Sequence, residues 1–554
     1  MLAILGMAGS LIACQAIPTE GGVHEGLDDF VQAQQQVVYR PDMPVPDASQ
    51  EDIVRGFLQA ASSSADDYQI ARQFLTAPYQ NVWRPYTSVL IDEGSRKFTQ
   101  STPTQTKFTL NVLATVDETG AMNQMEPGKQ TEVHFELRRE NGQWRISAAP
   151  NGVILDRTTF RDVWSQQQLY FWGVDETLVP DPRWFLNRGV VTTQIVEELI
   201  AGPQVSLAGS LLNAFPNGTS LTSDIVLVEA GVAQIDVTSE LLNASARELE
   251  AVAMQMATTL NSVPGVSAYS VSVNKAEVLS GVVSPDPGNR PSNPTDATQW
   301  PAIVQDGEFG FLAPTGFITD TDLNTNLAEI VSKKIVVGSG SREVIAQSKE
   351  GIFFVDSESV LSIDARADLL EPSLDRFGYV WSATKAQPNL ITITLPGESQ
   401  VELEIPWLEG VKVEAFKVSP DATKIAFLIA DNDSTSVIVT GIVRTENGTP
   451  NYVVEAGDKR VMWVKGDPID MDWIDTQRIA VLEHGLQGSY RLALGGLGMI
   501  PEDRPAVQNA VSMHGATRIS QMLLLDNNGD LWAPQGSSGW QRQTSDVALL
   551  SKRG

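Results

Sequence analysis

The sequence predicts a multidomain chain: a small α+β N-terminal domain, a second α+β domain, and an all-β C-terminal β-propeller. Three observations carry that reading. Apolar helical stripes followed by alternating strand patterns fill residues 49–165, and a strand, helix, hairpin, helix, strand order fills 166–280. Beyond a proline-rich stretch at 281–301, a strand–turn–strand unit recurs, with aligned aspartates Asp375, Asp421 and Asp475 spaced 46 and 54 residues apart. Propeller blades repeat at about 40–50 residues, so 302–554 is expected to hold roughly five or six blades, a β-sandwich being the competing arrangement.

Length and charge agree with this division. A chain of 554 residues, 42% hydrophobic and 19% charged, has the composition of an ordinary globular protein with room for several cores. Its 39 Lys and Arg stand against 68 Asp and Glu, a formal charge of −29. That excess opposes binding to nucleic acid or to a bare anionic bilayer.

The chain opens on an apolar run, residues 2–13, too short for the roughly 20 residues that span a bilayer but suited to a signal peptide. It ends in Leu11-Ile12-Ala13-Cys14, which fits a bacterial lipobox. Residues 1–13 are then removed, and Cys14 takes acyl lipid such as palmitate. The expected location is the extracytoplasmic face of the cell membrane. Cys14 is the single cysteine, so an intrachain disulfide is impossible. Neither Lys nor Arg precedes it, which places the expected start of translation upstream of Met1. Residues 14–48, rich in Gln, Gly and acids and closed by Pro41, Pro44 and Pro46, read as a tether reaching at most about 100 Å.

Ser49 and Asp52 form a capping box for a helix with Ile53, Val54, Phe57, Leu58 and Ala61 on one stripe. A second helix is expected over 66–75, stopped by Pro78. Strands follow at 108–112, 132–137 and 144–146, the last two joined by the turn Asn141-Gly142. Two helices before a meander suggest an NTF2-like shape.

In the middle domain, 169–172 is the first strand, and Thr193 is placed to cap a helix carrying Ile195, Val196, Leu199 and Ile200. Gly202-Pro203 stops that helix. Residues 225–228 and 232–237 form a hairpin around Ala230-Gly231. Ser245 and Glu248 box a second helix with Leu249, Val252, Ala253, Met256 and Leu260 on its core face, before a strand through Tyr269, Val271 and Val273. The linker 281–301 holds Pro285, Pro287, Pro291, Pro294 and Pro301.

The residue types that carry catalysis fall into no known catalytic pattern. His24, His134, His484 and His514 are scattered, with neither HExxH nor paired spacing, and one Cys makes a zinc site untenable. The sequence contains neither a GxSxG elbow nor a phosphate loop. Asp526, Asn528 and Asp530 resemble the start of a calcium loop, but Leu531 stands where that loop needs Gly, so a hairpin turn is expected. Asp320, Asp322, Asn324 and Asn326 read as a solvated loop. Asp470 and Asp472 could do acid–base work, yet such pairs arise by chance among 68 acids. The 12 Trp residues could supply a glycan-stacking face, though Trp in blades is more often core. The expectation is a protein that is not an enzyme, with no metal and no cofactor.

Two stretches carry a family resemblance. Glu51-Asp52-Ile53-Val54-Arg55-Gly56-Phe57-Leu58-Gln59-Ala60, with Ala71-Arg72-Gln73-Phe74-Leu75-Thr76, resembles the N-terminal domain of the actinobacterial lipoprotein family LpqB. Residues 169–172, Leu178-Val179-Pro180, Arg183, Glu198-Leu199-Ile200-Ala201-Gly202-Pro203, Phe215-Pro216-Asn217-Gly218-Thr219 and Ile235-Asp236-Val237 are similar to a GerMN domain. The resemblance implies an accessory lipoprotein of the two-component system MtrA–MtrB, touching the extracytoplasmic region of the sensor histidine kinase MtrB in envelope and division homeostasis. Only Cys14 carries over as an individual functional residue.

The leading expectation is therefore a lipid-anchored binding protein, with the lipid concentrating it beside a membrane sensor. A peptidoglycan or glycan-binding module is the alternative. An extracytoplasmic hydrolase comes third, and would need a clustered, perturbed acid or His in the propeller channel.

Overall fold

The computed structural model describes residues 41–187, 191–284, 300–338, 342–431, 434–457, 459–515, 518–536 and 539–554. Cys14, His24, the tether up to residue 40 and linker residues 285–299 lie outside the described residues.

In the first domain the capping box at Ser49 forms with both of its arms, and helix Gln50–Ala60 buries Ile53, Val54, Phe57 and Leu58. The helix expected over 66–75 is cut to Gln69–Arg72. Asp66, Asp67 and Tyr68 hold positive φ angles of 49°, 54° and 57°, which no helix accommodates. What wins is burial of Tyr68, 2% exposed and set edge-on against Trp83 at 5.7 Å. Pro78 does not stop a helix; it sits in the first turn of a new one, Ala77–Gln80.

The expected strands are longer than their apolar alternation, at Gln105–Asp117, Gln130–Glu140 and Gln143–Ala148. Three more were not foreseen, Ser88–Gln100, Met122–Gln124 and the parallel Val153–Asp156. Bulges after Ile91 and Asp92 break the alternation of Ser88–Gln100, hiding it from a pattern reading. There Asp92, fully buried, is met by Arg96 at 2.7 Å.

The middle domain pairs Trp164–Trp172 with Leu178–Leu186 in a ribbon and sets a four-stranded sheet beside it. Strands Val232–Val237 and Ala268–Val273 run parallel, and the crossover between them is helix Ala246–Leu260 with its capping box at Ser245. Thr193 does not cap its helix, which begins earlier as Val191–Ala201. Its buried hydroxyl instead accepts the Val226 N–H at 2.9 Å, so it pins the neighbouring segment. The first hairpin arm is only Leu227–Glu229, turned by Ala230 and Gly231, both at positive φ as a type I′ turn requires.

Six sheets of four or five strands follow as the propeller. The first joins Ala302–Gln305, Glu308–Ala313 and Gly316–Thr319 to Val547–Leu550 from the far side of the domain, which closes the ring. Lys552–Arg553 continues onto the second blade, parallel to Val336–Val337. Asp375, Asp421, Asp475 and Asp526 each turn a hairpin, with side chains accepting backbone N–H groups two to four residues on. Asp526 thus takes the hairpin role. Asp320 is not in a solvated loop but caps helix Thr321–Leu327 by accepting from Leu323 N–H.

Candidate functional site

Two polar centres organise the molecule, one where the three domains meet and one on the propeller axis. At the junction the loop 497–500 of the fifth blade enters between the other two domains. Gly498, at φ +66°, accepts at its carbonyl from Gln166 Nε2 at 2.8 Å and from Trp184 Nε1 at 2.6 Å. A Cβ there would stand 2.9 Å from Gln166 Nε2 and 3.0 Å from Pro182 O, so the approach needs glycine. The Met499 carbonyl accepts from Gln124 Nε2 at 2.8 Å, and Ile500 packs against the first domain's core. Strand Met122–Gln124 is held from the other side, Gln124 N–H donating to Arg460 O at 2.9 Å and Trp463 Nε1 donating to Gln124 O at 3.2 Å.

Arg183 clasps the first two domains. Its guanidinium, 1% exposed, reaches Asp181 at 2.8 Å, Glu198 at 3.1 Å, Gly202 O at 3.0 Å and, across the boundary, Thr119 O at 3.0 Å. Burial holds the Glu198 carboxyl above its ordinary range, outweighing the attraction of Arg183. Leu207, Leu211 and Phe215 of the middle domain share one apolar cluster with Val437, Val439 and Met462 of the fourth blade. Thr440 Oγ1 there donates to Ser206 O at 3.1 Å.

On the axis, charged side chains converge from several blades. Glu371 accepts Lys417 at 2.6 Å and Lys334 at 3.0 Å. Asp470 accepts Lys552 at 2.5 Å, Met513 N–H at 2.8 Å and Ser512 Oγ at 3.1 Å, while Lys552 also donates to Met513 O. Asp472 accepts from Gly515 N–H at 2.7 Å. The pair noticed as Asp470 and Asp472 is thus buried and engaged by protein groups. Burial raises the Asp472 carboxyl. The Glu371 carboxyl is lowered, because burial, which alone would raise it, is outweighed by the Lys417 and Lys334 ammoniums.

His514 joins this cluster, its Nδ1 2.6 Å from Ser551 O. Burial above all, with Lys552 and Arg553 adding to it and the Ser551 bond opposing it, pushes its pKa down from 6.5 to about 4. Between those values the unfolded chain takes up a proton that the native protein excludes. Stability therefore falls as pH drops from 6.5 towards 4, by about 3 kcal/mol in all. Asp472 acts oppositely above its ordinary 3.8, so the His514 share is read as a difference between proteins. Urea midpoints measured from pH 7 to 4.5 should fall less steeply for His514→Gln than for wild type; equal slopes would remove His514 from the acid response.

The remaining candidates scatter. His134 is exposed on its strand, and His484 sits edge-on to Tyr490 at 5.0 Å. Each of the 12 tryptophans is buried or half-buried. No group of three or more His, Cys, Asp or Glu able to hold a metal occurs among the described residues. Nor is any helix among them long and apolar enough to cross a membrane. The junction could have been suspected only from Gly495-Gly496 and Gly498, and the axis not at all, since its members come one or two per blade.

Two α+β domains welded to a closed ring of six sheets define a modular propeller protein organised by its junction. Residues 43–161 match the family model described as lipoprotein LpqB, N-terminal domain, and 336–549 that of the lipoprotein LpqB beta-propeller domain. Residues 168–278 match the model described as sporulation and spore germination. The chain belongs to the lipoprotein LpqB family. It is 23% identical to the lipoprotein LpqB of Cutibacterium acnes over 598 residues, covering 99% of this chain and 98% of that one. To that of Mycolicibacterium smegmatis it is 30% identical over 276 residues, 45% of this chain and 46% of the other. Among solved structures, the first GerMN domain of the sporulation protein GerM from Bacillus subtilis is 19% identical. It covers 23% of this chain and 98% of that one, at a TM-score of 0.19.

Proposed function

We propose that the chain is held on the extracytoplasmic face of the cell membrane by lipid on Cys14, and that it binds and modulates the sensor histidine kinase MtrB without catalysing a reaction. The observation that carries the reading is the welded junction. Gly498, Gln124 and Arg183 fix three domains in one arrangement, and the ionisable groups on the axis are taken up by one another, so the body is built to present surfaces. Membership of a lipoprotein family supports the anchor. Confinement to the kinase's own membrane raises the effective concentration of the pair.

Cys14→Ser should move the protein from the membrane fraction to the soluble one while its thermal unfolding is unchanged. A variant that still pelleted with membranes would end the lipid-anchor reading. Crosslinking in intact cells should capture MtrB with the wild-type protein and much less with Cys14→Ser. Recovery of wall glycan with no kinase would replace the partner.

A further inference from the structure

The middle domain leaves an aliphatic run uncovered at a sheet edge. Ile225-Val226-Leu227-Val228 is strongly strand-forming, yet Ile225 is 52% exposed, Leu227 56% and Val228 39%; only Val226 is buried. Strand Leu227–Glu229 is the outer strand of its four-stranded sheet. The two-residue turn sets Glu229 opposite Val232 and Leu227 opposite Gln234 as the hydrogen-bonded pairs. The N–H and C=O of Val228 therefore point to the open side. Such an edge invites pairing with another strand and is normally blunted by charge or cover.

The charge beside it is of one sign. Between Arg188 and Arg247 the sequence holds six acids and neither Lys nor Arg. Asp224 and Glu229 bracket the aliphatic run, and neither they nor Glu197 have a cationic partner among the described residues. A cleft of about 350 Å³ adjoins the edge, lined by Thr193, Glu197 and Ile200 of helix Val191–Ala201 and by Leu221, Ser223 and Asp224.

We propose that this edge is a docking site for an extended, basic segment of a partner protein. The segment pairs its backbone with Val228, covers Ile225 and Leu227 with apolar side chains, and sends a Lys or Arg into the cleft towards Glu197 and Asp224. Charge complementarity selects this occupant: a second copy of the chain would bring its own acids to the same edge. The edge serves the binding role proposed above, and the two fail separately. Kinase capture lost with peptide binding intact removes the kinase; peptide binding absent with capture intact removes the edge.

The test is fluorescence anisotropy with the full chain and a labelled octapeptide of alternating valine and threonine, with arginine at both ends. The expected affinity is about tenfold tighter than for the same peptide ending in glutamate, with the gap narrowing at high salt. Val228→Pro removes the outward N–H at an edge position that tolerates proline, and the pair Glu197→Gln with Asp224→Asn removes charge alone. Each should weaken binding by about fivefold or more with unfolding unchanged. Equal affinities for the two peptides, or wild-type binding by the charge variant, would overturn the proposal. So would a dimer in sedimentation that Leu227→Lys dissolves, because the edge would then belong to a second copy.

Discussion

Lys552→Ala should loosen the propeller ring, at a cost of about 3–5 kcal/mol. The ammonium is 1% exposed and neutralises Asp470 at 2.5 Å, so its removal leaves a carboxylate in the interior held by the N–H groups of Met471 and Met513 and by Ser512 Oγ, without its counter-charge. Strand Val547–Leu550 and the pairing of Lys552–Arg553 with the second blade lie on the same stretch of chain. The loss should therefore appear first as faster amide exchange at Ile303 and Val304, which face Leu550 and Leu549 across the closing seam. Lys552→Met combined with Asp470→Asn removes both charges and should recover at least half of the lost stability. A double variant as unstable as Lys552→Ala would mean that packing of the lysine stem, and not the buried pair, closes the ring.

Arg183→Ala carries the second large effect, again about 3–5 kcal/mol, because one buried guanidinium serves four acceptors, the fully buried Asp181 among them. Asp181 keeps both bonds from Gln204, at 2.9 and 2.6 Å, but loses its counter-charge, while Thr119 O and Gly202 O lose their donor. Only the Thr119 bond crosses to the first domain, so the variant should also free the 117–121 turn, seen as protease cleavage there under native conditions. Arg183→Lys keeps the charge but not the fork, and should recover less than half of the stability. Cleavage unchanged in Arg183→Ala would show that the remaining contacts, from the Gly498 loop and from Arg460 and Trp463, suffice to hold the first domain in place.

What could be read from the sequence was whatever is decided within a few neighbouring residues. Ser49 with Asp52 and Ser245 with Glu248 are capping boxes on any helix, and both formed. The turn aspartates Asp375, Asp421 and Asp475 revealed the blades because each hairpin needs an acceptor for the N–H groups that follow it. Tyr68 was lost because its helix gave way to a pocket formed by Trp83, fifteen residues away. Strand Ser88–Gln100 was lost because its bulge disrupts the two-residue period. Lys334, Glu371, Lys417, Asp470 and Lys552 looked like ordinary surface charges, since only ring closure brings them together. Gly498 looked like one more turn glycine, and its use depends on Trp184 and Gln166, more than three hundred residues earlier.

Fastening the ring by pairing 302–305 with 547–550 also governs how the protein tolerates damage. A protease cut in the loop between any two neighbouring blades leaves each fragment still gripping the other across that seam, and a cut ahead of the fifth blade leaves the junction holding them as well. The nicked molecule would keep its hydrodynamic size and part only in detergent or denaturant. Wear in the propeller would thus pass unnoticed by any assay of shape, and would be found only by weighing the separated pieces.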